Sequence, residues 1–331
     1  MIHVKRSGIL WYFVLFVTYC FGQELPVIHR INDNPSKSAI TCIFEDDHGF
    51  IWYGTRHGLY RYDGLNFEKF IHEIADRSSI SGNRIEDAIK DQNNNIWITG
   101  DGLGFFDPKT GIFSALHFDA KASIGIHSNF TTALFEDVDG LMWIGSEDAG
   151  LLRFDPTSKK NTHFAHDTTN SISLSSNNVT QIIKDRSQNL WVSTYDNGIN
   201  LFDPSNETFR KFTFEDSLGL LSNSILSMHQ GKDALWIGTK KGIYELVNPS
   251  PGNFSFKSIK IPGNPLATAQ IAREIVLSIL EDSKGNLWVG TEGNGLYLID
   301  LNKGKVDILP YDHSIISNTS IWSLFEDSNG I

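Results

Sequence analysis

Residues 40–63 read ITCIFEDDHGFIWYGTRHGLYRYD. Ile40 to Glu45 is an apolar run with no helical period. Asp46-Asp47-His48-Gly49 is a turn, because an aspartate caps a turn with its side chain and glycine accepts positive φ. Phe50 to Thr55 is rich in β-branched and aromatic residues and reads as a second strand. Arg56-His57-Gly58 turns the chain again. Leu59 to Asp63 is a third strand, and Asn66 to His72, with Phe67 and Phe70, is a fourth.

The same unit recurs along the chain. Trp52, Trp97, Trp143, Trp191, Trp236 and Trp288 lie 45, 46, 48, 45 and 52 residues apart. Six residues before them stand Asp46, Asp91, Asp137, Asp185, Gln230 and Asp282. Small residues follow each Trp, as in Gly54-Thr55 and Gly290-Thr291, with the second unit reversed to Thr99-Gly100. A second glycine comes at Gly58, Gly102, Gly150, Gly198, Gly242 and Gly295.

Four short antiparallel strands in a period of about 45 residues make one blade of a β-propeller. Inner strands such as Ile182-Ile183 and Ile279-Leu280 are apolar on both faces, as a blade packed between two others requires. The expected fold is all-β: six full four-stranded blades plus the first strand of a seventh. Blades fall at about 38–75, 83–120, 128–168, 177–215, 223–260 and 273–310, with a partial blade at 319–331. No apolar stripe at i, i+3, i+4, i+7 runs for ten residues, so almost no helix is expected. The repeated tryptophans are expected to fill the space between blades.

Ile321 to Ile331 starts the unit again, and Asp327 plus six predicts a Trp at position 333. The sequence is therefore expected to continue beyond residue 331. Trp322 is out of register with the other six and is not expected to be filler. Val27 to Ile31 is expected to act as a fourth strand that completes the last blade and hides a sheet edge.

The pattern I-x-x-x-x-E-D-x-x-G-x-[IL]-W-x-G-T-x-x-G-L-Y-x-[YIF]-D, seen at 40–63 and 275–300, resembles the two-component regulator propeller repeat. The resemblance covers residues 23–331. It is looser in blade two and in blade five, where Gln230 replaces the aspartate. The family typically builds periplasmic sensor regions of Bacteroidetes hybrid histidine kinases. It implies two seven-bladed propellers, an immunoglobulin-like domain, one membrane helix only downstream of this region, then kinase, receiver and helix-turn-helix domains. It also implies an oligosaccharide cue and a homodimer of the full-length parent.

Composition agrees with a folded chain. Of 331 residues, 40% are apolar and 20% charged, which excludes a disordered tail or a polytopic membrane protein. Lys plus Arg number 28 against 39 Asp plus Glu, a formal charge of −11. Without a basic block to meet phosphates, nucleic-acid binding is excluded for this region. Cys20 and Cys42 supply neither a disulfide framework nor a cysteine-rich metal site.

Lys5 and Arg6 precede the short apolar run Ile9 to Phe21, the form of a signal peptide spanning 1–22. Cleavage before Gln23 removes two basic residues and no acid, leaving −13. Lipid attachment at Cys20 is disfavoured by the bulky Tyr19. The protein is expected to be exported, to the periplasm.

Two motifs imitate chemistry. His72-Glu73 begins like a zinc-protease helix, but Asp76 stands where the second histidine belongs. Asp137-Val138-Asp139-Gly140 resembles part of a calcium loop but lacks its closing glutamate and aligns with ordinary turns in the other blades. No metal, cofactor or catalytic constellation is expected.

In a propeller the strand 2–3 turns and the 4–1 linkers share one face around the axis. Positions that vary between blades are free for function there. The turns offer Arg56, His57, Asp101, Glu147, Asp148, Tyr195, Asp196, Asn197, Lys240, Lys241, Glu292 and Asn294. The linkers offer Arg84, His127, Asn178, Asn223 and Arg273. Mixed charges, amides and one tyrosine suit the hydroxyls of a neutral or weakly acidic oligosaccharide, with stacking on Tyr195. The expected function is ligand sensing for a two-component regulator. The alternatives are an envelope scaffold without a kinase and, less favoured, a propeller lyase or glycosidase. This chain itself is not expected to be an enzyme.

Overall fold

The computed structural model describes residues 36, 38–116, 128, 130–216, 218–250, 252–309 and 320–330. The signal segment, the Val27 to Ile31 strand and His127 lie outside the described residues. The all-β propeller reading is borne out: the strands form six sheets, each a four-stranded antiparallel meander in chain order. Blade one comprises Ile40–Glu45, Ile51–Thr55, Gly58–Tyr62 and Phe67–Phe70. The inner strands of the next five are Ile85–Lys90, Thr131–Glu136, Val179–Lys184, Ile225–Gln230 and Val276–Glu281.

Five separate apolar cores lie at the five junctions between successive blades. Trp52, for instance, packs on Phe70 of its own blade at 5.4 Å and on Phe106 of blade two at 5.6 Å, between ring centroids. Trp52, Trp97, Trp143, Trp191 and Trp236 are buried as expected. Trp288 is only half-buried. Its neighbour on that side is the 320–330 segment, which supplies an inner-strand position and no further strand among the described residues.

In five of the six repeats the aspartate and the tryptophan are one device. Asp46 Oδ1 accepts the amides of His48 and Phe50 at 2.9 and 3.1 Å, while Oδ2 accepts the Trp52 indole N–H at 2.7 Å. The same indole bond recurs at 2.9 Å from Trp97, 3.2 Å from Trp143, 2.9 Å from Trp191 and 2.8 Å from Trp288. A carboxylate that organises a turn thus also satisfies the polar edge of a core aromatic, a bond to a charged group worth about 1.5–3 kcal/mol.

The second glycine has an equally local cause. Gly198 has φ 77°, and a β-carbon there would stand 2.1 Å from the Phe212 carbonyl oxygen. Its amide donates to Asn223 O at 2.8 Å, and the same link runs from Gly58 to Asn83, Gly150 to Asn177 and Gly242 to Glu274. In these four blades the bonds tie the 2–3 turn to the following 4–1 linker, on one face of the ring.

In line with the expectation of almost no helix, the described residues hold a single α-helix, α1 (Pro265–Ile271), in the linker between blades five and six. Asn264 caps it, accepting the Ala267 amide at 3.1 Å, and Pro265 fixes φ at the first turn. The seven-residue helix is too short for a periodicity test.

The ring closes on itself. The segment 320–330 lies against blade six, where Ile321 N–H donates to Thr291 O at 3.1 Å and Ser278 Oγ donates to Ile321 O at 2.9 Å. On its other side it meets blade one: Glu45 accepts the Ser328 amide at 2.7 Å and the Ser328 hydroxyl at 2.8 Å. Glu326 accepts the same pair from Ser283 of blade six. The last residue of one inner strand therefore grips the turn of the blade before it, and this grip joins the two ends of the ring.

Candidate functional site

The inner strands enclose a central cavity of about 880 Å³. The second residue of each of the six inner strands faces it, Thr41, Glu86, Thr132, Thr180, Leu226 and Leu277, and Trp322 takes the corresponding place in the 320–330 segment, which forms no strand where the sequence led one to expect the first strand of a seventh blade. Three of these are spent on the ring. Thr41, Thr132 and Thr180 donate to the first carbonyl of the next inner strand, at 2.7, 2.7 and 2.9 Å.

Beside them, the third residues of blades two, four, five and six are polar: Asp87, Gln181, Ser227 and Ser278. Asp87 Oδ2 accepts the Leu134 amide of blade three at 2.9 Å, and Gln181 makes the equivalent bond to the Met228 amide of blade five. Burial pushes the Asp87 carboxyl up to about 6, against the two amides that it accepts, with Glu86 beside it adding to the rise. Burial and then Asp87 push the Cys42 thiol up, which keeps it protonated and unreactive.

At the mouth, Arg84 bridges blades two and three. Its Nε donates to Glu86 at 2.5 Å and its Nη1 lies 3.5 Å from Glu147, with the guanidinium 5.9 Å from the Phe130 ring centre. Tyr195 of blade four is paired with Lys240 of blade five. The ammonium donates to the phenol oxygen at 2.8 Å and sits 4.2 Å from the ring centre.

Of the rim residues read from sequence, Glu147, Tyr195 and Asn178 line the cavity. Arg56, His57, Asp148, Asp196, Asn197, Lys241, Arg273 and Glu292 are exposed on the surrounding turns and linkers and do not line it. Asp101 is tied to the Arg84 amide at 3.1 Å. Asn294 donates to Glu274 at 2.7 Å, in a network where Tyr297 also donates to Glu274 at 2.7 Å. Asn223 is occupied by the Phe214 amide and by Glu215. Trp322, Glu86 and Asp87 are channel residues that the turn-and-linker reading did not place. Their signal is the variation between blades at the second and third positions of the inner strand.

The two imitating motifs resolve locally. His72 Nδ1 lies 2.7 Å from Ile80 O, inside the blade-one linker, and His166 repeats the contact with Leu174 O at 2.8 Å. Asp137 is a turn cap that accepts the amides of Asp139 and Leu141. No helix among the described residues is long and apolar enough to cross a membrane.

The model of the two component regulator propeller family matches residues 34–57, 125–148, 173–196 and 271–293. Each matched segment holds the first two strands of a blade, in blades one, three, four and six, and is similar to the two component regulator propeller repeat. Histidine kinase P4 of Formosa agariphila is 33% identical over 84 residues, a quarter of this chain and 6% of the kinase. Among solved structures, the extracellular domain assigned to the hybrid two component system BT3049 of B. thetaiotaomicron superposes with a TM-score of 0.72 at 21% identity, over 89% of this chain and 38% of that one. The corresponding domain of BT4673 from the same organism gives 0.70 at 24% identity, over 92% and 40%. At these identities the likeness shows a shared fold, and this chain spans less than half the length of either structure.

Proposed function

We propose that this chain is the extracytoplasmic ligand-sensing propeller of a two-component signalling protein of the hybrid histidine kinase kind, and that it takes an oligosaccharide in its central channel. One observation carries the reading. Repeats of the two component regulator family surround an open cavity whose wall is varied from blade to blade. A wall needed only for ring closure would carry the same threonine at every second position. This one carries glutamate, leucine and tryptophan at four of the seven.

The kinship with histidine kinase P4 supports a signalling context, and phosphotransfer belongs to other parts of such a protein. The apolar segment at 9–21 after Lys5 and Arg6 supports export, with Gln23 as the first mature residue.

Calorimetry of the full chain against neutral and sulfated oligosaccharides tests the reading. Binding of a neutral oligosaccharide with little dependence on salt supports it. Absence of binding to every saccharide refutes it. Cell fractionation with mass analysis of the mature N-terminus tests export, and a protein retaining Lys5 and Arg6 in the cytoplasm refutes that part.

A further inference from the structure

Trp322 does nothing that the ring requires. The six repeat tryptophans each give their indole N–H to a carboxylate, whereas the Trp322 indole has no hydrogen-bond partner among the described residues. At the same position blades one, three and four use a threonine that bonds the next strand, and blades five and six use a leucine. A leucine therefore satisfies the packing demand there. The indole is instead 41% exposed, and it faces the channel rather than the outer surface.

Tyr195, the aromatic expected from sequence to stack on a ligand, is less suited. One side of its ring carries the Lys240 ammonium and its hydroxyl is already an acceptor. The channel wall also has a charge bias. Glu45, Glu86, Asp87 and Glu147 line it, against Lys90 alone. Lys90 is paired with Asp47, and the nearby Arg84 is held by Glu86 and Glu147. An anion entering the channel meets carboxylates and no uncommitted cation among the described residues that line it, in a narrow site where charge interactions are stronger than in bulk water.

We propose that Trp322 is the platform on which one sugar ring of the ligand stacks, and that Glu86, Asp87 and Glu147 restrict that ring to an uncharged one. The flat indole offers a face to the C–H edge of a pyranose, and its free N–H can donate to a ring hydroxyl. This rests on the saccharide reading above and narrows it to one residue and one charge class.

The test is calorimetry and tryptophan fluorescence of the full chain with xylohexaose, maltohexaose, mannohexaose, hexagalacturonate and a heparin hexasaccharide. Wild type is expected to bind at least one of the three neutral hexasaccharides, with protection of a quenchable tryptophan. Trp322→Leu reproduces blades five and six and is expected to fold normally while binding about tenfold or more weakly. Trp322→Phe is expected to stay within about threefold of wild type, because it keeps an aromatic face. Tyr195→Ala is also expected to stay within about threefold, since one face of its ring already holds the Lys240 ammonium. Undiminished neutral-sugar binding by Trp322→Leu, with an unchanged melting temperature, overturns the platform and leaves the saccharide reading standing. Tighter binding of either anionic hexasaccharide overturns the charge restriction. If no hexasaccharide binds, the saccharide reading falls and this proposal falls with it.

Discussion

Trp236 donates its indole N–H to Glu281 across a blade boundary at 2.8 Å, where each other repeat tryptophan donates to an aspartate of its own blade. Blade five has Gln230 in the aspartate position, and the Gln230 amide bonds the Gly231 and Ala234 carbonyls instead. Gly231 makes the substitution workable, because a β-carbon there would stand 2.0 Å from the Glu281 carboxylate oxygen. A gap in the repeat is thus filled from the neighbouring blade, by the same inner-strand glutamate that elsewhere grips a turn amide.

The exchange predicts a rescue. Glu281→Ala leaves a buried indole N–H without an acceptor and is expected to destabilise the chain by about 2 kcal/mol, a drop of several degrees in melting temperature. Adding Gln230→Asp should recover at least half of that loss, because it restores the acceptor used by the other blades. Urea unfolding of the four variants measures this coupling, and strict additivity would exclude it.

Ring closure gives a second expectation. Glu45 holds Ser328 through both the amide and the hydroxyl, so Glu45→Ala should loosen the 320–330 segment from blade one. Because those bonds are exposed, the global cost should be only about 1 kcal/mol. The local effect should be larger: amides of residues 321–329 should exchange faster while those of Val179–Lys184, on the far side of the ring, keep their protection. Uniform exchange in both places would mean that closure is not made there.

A repeat glycine and an ordinary turn glycine should behave differently. Gly198→Ala is expected to cost about 3 kcal/mol, because strain at positive φ adds to a clash with the Phe212 carbonyl. Gly293 has φ 86° with nothing within 4 Å of its absent β-carbon, so Gly293→Ala should cost only about 1 kcal/mol of strain. Equal losses in thermal unfolding would remove steric approach as the reason for the second glycine.

The fold was legible because the repeat states it six times, and each copy carries its own turn, aromatic and glycine. What the repeat could not display were relations between copies. The grip of Glu45 on Ser328 spans 283 residues, and the loan of Glu281 to Trp236 crosses from one unit to the next. The site was harder for the same reason. Reading turns and linkers located Glu147 and Tyr195 but missed Glu86 and Asp87, which sit in a strand otherwise committed to packing. The pairing of Lys240 with Tyr195 joins blades four and five, and only the ring brings the two together. Helix α1 escaped because its signal is a single Asn-Pro cap.

Asp87 yields the last expectation, a dependence on pH. Its carboxyl faces Glu86 on its own strand and Cys42 from blade one, with no cation among the causes of its shift. The folded value of about 6 lies above the ordinary 3.8. Between about pH 4 and 6 the folded chain therefore holds a proton that the unfolded chain has lost. Stability from this residue is full below pH 4, falls as pH rises through that window, and stays low above it. Two pKa units correspond to nearly 3 kcal/mol, and because the channel admits some water the realised change should be about 1–2 kcal/mol. Asp87→Asn can still accept the Leu134 amide but carries no charge, so it lacks this slope. Subtracting its unfolding free energy from that of wild type at pH 4, 5, 6 and 7 cancels the other carboxylates, several of which are held below their ordinary values and slope the opposite way. The difference should fall steadily between pH 4 and 6 and then flatten. A difference that rises with pH would place a cation beside Asp87 and reverse the charge assigned to the channel wall.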